Sequence, residues 1–114
     1  MNRTVRLDLA NAAAGAAVLG QVVLATAIRF GAGPLEAERL RCAVEAAARA
    51  TDGGLRCETH EARGAATLVL TAADDGWAAR AVELLASHRA STTVDGVTIE
   101  LRRSPLHAVP ASDV

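Results

Sequence analysis

The sequence predicts an α+β fold: a two-layer α/β sandwich with a mixed, mostly antiparallel sheet and its helices on one face, in the order β-α-α-β-β-α-β-β. Three observations carry this. Stretches alternating apolar and polar residues, the mark of strands half-buried against a core, stand beside stretches with apolar residues three and four apart, the mark of amphipathic helices. Glycine-rich breakers separate them at Gly31-Ala32-Gly33-Pro34, Asp52-Gly53-Gly54 and Asp74-Asp75-Gly76. A chain of 114 residues, 51% hydrophobic and 22% charged, suits a single core that needs neither disulfide nor metal, and it is too apolar for a disordered protein.

Taken in order, Val5, Leu7 and Leu9 alternate with Arg6 and Asp8 and predict a first strand. Asn11 is placed to cap a helix on which Leu19, Val22, Val23, Thr26 and Phe30 recur at helical spacing, and Gly31 to Pro34 should stop it. Pro34 suits the first turn of a second helix, with Glu36 and Glu38 favourable to its dipole and Ala37, Leu40, Val44, Ala47 and Ala48 as its buried stripe. Leu55, Cys57 and Thr59 form the inward face of a strand that turns at Ala62-Arg63-Gly64 into a second, mostly apolar strand over 66–72. Ala78, Ala81, Val82 and Leu85 predict a third helix ending near Ala90. A last hairpin joins 91–94 to 97–102 through Asp95-Gly96, a dipeptide suited to a tight two-residue turn in which Gly96 takes positive φ. Residues 1–104 are thus expected to form one domain, and 105–114, with Pro105 and Pro110 and no periodicity, a flexible C-terminal tail.

Charge and composition exclude several functions. Twelve arginines and no lysine stand against 13 acids, for a net charge of -1, and the basic residues form no patch that would track phosphates, so no nucleic-acid partner is expected. Phe30 and Trp77 are the only aromatics, too few for a base-stacking surface. Cys42 and Cys57 read as reduced cysteines; Cys57 and His60, three apart on a strand, point to opposite faces and cannot converge on one metal ion. The uncharged run 12–28, behind Arg3 and Arg6, has the look of a signal or anchor segment, but Asp8, Gln21 and two glycines argue for a helix buried on most of its circumference in a cytoplasmic protein with no membrane partner.

Two short motifs bear on function. Glu45 and Arg49 stand four apart near the end of the second helix, and Asp74-Asp75-Gly76-Trp77-Ala78 follows the central strand. On their own terms these are ordinary residues: a helical glutamate in an ion pair, aspartates that favour turns, and a tryptophan that either anchors the core or stands exposed.

With the element order, however, they resemble the histidine-kinase-like ATPase (GHKL, Bergerat) fold, and within it the bacterial anti-sigma-factor serine kinases, over roughly residues 3 to 103. The resemblance implies that Glu45 matches the general base of a Glu-x-x-x-Asn box, with Arg49 where the magnesium-binding asparagine belongs. It implies that Asp74 and Gly76 match the first two positions of an Asp-x-Gly-x-Gly motif whose aspartate receives the adenine amino group, with Ala78 in place of the second glycine. A guanidinium offers donors and no lone pair, so Arg49 cannot ligate Mg²⁺. The glycine-rich lid that cradles phosphate in the family is also missing between Gly76 and the third helix. No cofactor is therefore expected.

The expectation is a catalytically inactive anti-sigma-factor-like regulatory protein acting by protein–protein binding in bacterial transcription control. The resemblance implies a sigma factor, an antagonist protein or a related anti-sigma kinase as partner, or a homodimer. Asp74, Asp75 and Trp77, on the surface vacated by the lid, are the candidate contact residues. The alternatives are an active ATP-binding anti-sigma serine kinase with a non-standard site, and an unrelated small α/β ligand-binding or assembly module.

Overall fold

A computed structural model describes residues 2–74, 76–88, 90–92 and 96–102. Strand β1 (Arg3–Leu9) leads into helix α1 (Ala12–Arg29), helix α2 (Pro34–Arg49), strands β2 (Leu55–Ala62) and β3 (Ala65–Ala72), helix α3 (Trp77–Leu84), a 3₁₀ turn at Ala86–His88, and strands β4 (Ala90–Thr92) and β5 (Gly96–Arg102). The expected order and two-layer α+β architecture are present. The strands form one sheet, β1-β2-β3-β5-β4, in which every described pairing is antiparallel rather than mixed.

Local chemistry sets the element ends. The Asn11 side chain accepts a hydrogen bond from the Ala14 N–H at 3.1 Å, satisfying a donor that the first helical turn leaves unpaired. Gly31, at φ 98°, takes the left-handed conformation that ends α1. Pro34 then opens α2, where its missing N–H costs nothing. Arg63 and Gly64, the latter at φ 72°, join β2 to β3 between the paired residues Ala62 and Ala65.

The core lies between the helices and one sheet face. Leu55 and Cys57 from β2, Leu68 and Leu70 from β3, and Val97 and Ile99 from β5 meet Leu19 and Val23 of α1, Leu40 and Val44 of α2, and Trp77 and Leu85 at the two ends of the α3 segment. All five residues expected on the α2 stripe are buried. The opposite sheet face carries Arg6, Asp8, Arg56 and His60, all exposed. Cys57 and His60 indeed lie on opposite faces of β2.

Three expectations need correction. First, α1 is not buried on most of its circumference: seven of its 18 residues are buried, while Val18 and Ile28 are 56% and 51% exposed. By length and composition α1 would also suffice to cross a bilayer; here its buried stripe packs against the core. Second, α3 stops at Leu84 and gives way to the 3₁₀ turn instead of continuing to Ala90. Third, Val97 lies opposite Thr92, not Val94, and Gly96 belongs to β5 without positive φ. Val94 and Asp95, and the tail 105–114, lie outside the described residues.

The two cysteines are set apart by this packing. Cys42 is exposed on α2, whereas Cys57 is buried in β2, where burial pushes its thiol up to about 11. Since the thiolate is the reactive form, a thiol reagent at pH 8 should modify one equivalent rapidly in the native protein and a second only on denaturation. Two fast equivalents in native protein would contradict the burial of Cys57.

Candidate functional site

The residues singled out by sequence fall on two neighbouring pieces of structure. Glu45 sits on the buried side of α2, 8% exposed, where it pairs with Arg41 one turn earlier and with Arg49 one turn later at 3.4 Å. Its carboxylate presses on α1 at Gly20, where a Cβ would come within 2.2 Å of Oε2. Glycine at that position therefore lets the two helices close around an ion pair. Arg49 spends its charge on Glu45. Each carboxylate oxygen of Glu45 thus accepts from a guanidinium of the same helix, and the position holds an ion cluster within α2 that faces α1.

Asp74 lies at the mouth of α3. Its Oδ1 accepts from the Gly76 N–H at 3.1 Å, its backbone carbonyl from the Trp77 N–H at 3.1 Å, and its Oδ2 from Arg80 Nη2 at 2.6 Å. The Gly76 amide, then the Arg80 guanidinium, hold this carboxyl below the usual carboxylate range. Arg80 Nη2 also donates to the Ala50 carbonyl at 3.1 Å, tying the start of α3 to the end of α2. Gly76 is the residue before the helix, and Asp75 lies outside the described residues.

Trp77 is fully buried, and its indole Nε1 donates to the Ala47 carbonyl at 2.7 Å. As a surface contact for a partner it is thereby corrected: of its two expected roles it takes the core one. Exposed at the start of α3 among the described residues are Asp74 and its Arg80 partner, a charged pair rather than an aromatic anchor.

Beside Asp74 opens a recess of about 710 Å³ at the end of the sheet, lined among others by Asp8, Ala10, Arg56, Thr71 and Ala78. Its polar rim is internally matched. Asp8 accepts from Arg56 at 2.9 Å and pairs with Arg6 at 3.1 Å, and the Arg56 hydrogen bond leads in holding its carboxyl below the ordinary value. Glu45, Arg49 and Gly76 are not among the residues lining this recess, so the two motif pieces are not brought together around one cavity.

Neither Arg41 nor Arg80 is expected from the sequence as the partner of these carboxylates. Arg41 to Glu45 is an i,i+4 spacing and was readable; Arg80 to Asp74 spans six residues across a helix start and was not. No family model matches this sequence, and no curated protein does either.

Proposed function

We propose that this chain is a catalytically inactive regulatory protein of the cytoplasm that acts by binding another protein. The observation carrying this reading is that both described carboxylates of the motif segments are spent: Glu45 on Arg41 and Arg49, Asp74 on Gly76 and Arg80. A substrate hydroxyl or an adenine amino group would have to compete at each of them with donors already in place. Arg49 adds a cation where the resemblance requires a metal ligand. The partner class, a sigma factor, an antagonist protein or an anti-sigma kinase, follows from the resemblance in element order and motif position.

Calorimetry with ATP and Mg²⁺ tests the inactive reading. No Mg²⁺-dependent binding is expected at millimolar nucleotide. Saturable binding that disappears in Asp74→Ala would instead establish an active, non-standard nucleotide site. Titration of the purified chain with the sigma factors of its own host tests the partner class, and binding to none of them, nor to their antagonists or kinases, would return the chain to an assembly module of another kind.

A further inference from the structure

The recess beside Asp74 arises from the way three strands end. Leu9, Leu55 and Ala72 form the last paired row across β1, β2 and β3, and just outside that row the chain turns at Ala10, Gly54 and Ala73. None of these three carries a side chain larger than a methyl group, so they leave open the space between the strand ends and α3. At Gly54 even a methyl is excluded, since a Cβ would lie 2.9 Å from the Leu9 carbonyl oxygen. The opening, about 710 Å³, falls within the range of small-molecule sites.

Its lining divides by chemistry. Leu9, Ala72 and Ala78 are half-buried, packed on the core by one side, and with Leu55 they give the recess an apolar floor. Arg56 and Asp74 place opposite charges at its rim. Arg56 gives its Nε–H to Asp8 at 2.9 Å, and its two Nη groups make no hydrogen bond among the described residues. Asp74 accepts once at each oxygen, from the Gly76 N–H and from Arg80, which leaves each oxygen a second lone pair. Arg56 lies opposite Thr71, three residues before Asp74, so the two charges stand on neighbouring parts of one rim.

We propose that this recess binds a small zwitterion with an apolar body, the chemistry of an apolar α-amino acid such as leucine. The ligand carboxylate sits on the Arg56 guanidinium, its ammonium on Asp74, and its side chain over the apolar floor. Charge balance selects this class. Asp8 lies between Arg6 and Arg56, Arg6 lies opposite Glu58, and Asp74 pairs with Arg80, so the described charges at and behind the rim cancel and favour a ligand with no net charge. A guanidinium fork takes a carboxylate through two parallel hydrogen bonds, and a single fork is too little for a polyphosphate. An ammonium brings a full charge to a carboxylate that Gly76 and Arg80 keep ionised, which a neutral amino group does not. The inference does not depend on the regulatory reading, and either can fail alone.

Titration of the full chain with leucine, followed by calorimetry and by amide NMR, provides the test. Saturable binding with a Kd of about 1 mM or tighter is expected, with the largest amide shifts around Ala10, Gly54 and Ala73. Isocaproate, which lacks the ammonium, and isoamylamine, which lacks the carboxylate, should each bind roughly tenfold more weakly or worse. Arg56→Gln should weaken leucine binding by roughly tenfold or more, and since exposed ion pairs add little to stability its melting temperature should not change. Ala73→Leu, at an exposed position whose longer side chain occupies the recess, should abolish binding. Failure to saturate at about 10 mM leucine overturns the inference. So does binding that survives Arg56→Gln or Ala73→Leu, or an analogue lacking either charge that binds as tightly as leucine.

Discussion

Trp77→Ala is expected to bring the domain to the edge of unfolding. Trp77 is the largest fully buried side chain and the only tryptophan, and it packs where α2, α3 and the sheet meet. Truncation removes its transfer free energy, leaves a cavity that short neighbours such as Ala47 and Ala81 cannot fill, and deletes the bond to the Ala47 carbonyl. Large aromatic-to-alanine changes in cores cost about 3–5 kcal/mol, set against a total of roughly 5–15 kcal/mol for domains of this kind. A fall in melting temperature of roughly 10–20 °C by circular dichroism should follow. Trp77→Phe keeps the larger part of the volume, losing the five-membered part of the indole with its N–H, so it should cost less. A Trp77→Ala protein that melts within a few degrees of wild type would show that the indole does not hold the core.

Gly96→Val should be at least as damaging, for a different reason. At the start of β5 the backbone comes so close to β3 that a Cβ on Gly96 would lie 2.0 Å from the Leu70 carbonyl oxygen and 3.2 Å from the Thr71 Cα. Those are backbone atoms of the central strand, with no rotamer to yield. Relief requires β5 to shift from β3, and overpacking of this kind costs about 3 kcal/mol or more. Gly53→Ala is the matched control, because nothing lies within 4 Å of its added Cβ. Chemical denaturation of the two variants should separate them clearly; equal midpoints would refute the close approach of β5 to β3.

Gly96 also illustrates what the sequence could and could not convey. Asp95-Gly96 reads as a turn because that dipeptide is common in turns, and glycine's second use, letting two backbones touch, leaves no local signature. The α2 stripe was legible because Leu40 and Val44 stand out against charged neighbours, and the β2–β3 hairpin because apolar alternation brackets a short turn. On α1 the same method overreached. Alanine tolerates either side of a helix, so a run such as Ala12 to Ala17 says that a helix forms without saying which way it faces. The motif segments can be located in the sequence, but the ion pairs of their carboxylates, with Arg41 and Arg80, emerge from the structure. The second is a tertiary pairing with no sequence spacing to announce it, and so was the inward turn of Trp77.

The alanine content of the helix layer has a thermal consequence. Where α1 meets α2 and the sheet, the buried positions include Ala12, Ala16, Gly20 and Ala27 on one helix and Ala37, Ala47 and Ala48 on the other. Alanine and glycine have no rotamers to freeze, so closing this layer sacrifices little side-chain entropy, and they bury little apolar area, so it gains little hydration free energy in return. The rise in heat capacity on unfolding scales with that apolar area. A layer built this way therefore flattens the dependence of stability on temperature, and the domain should hold a modest margin across a broad range instead of a high one near a single optimum.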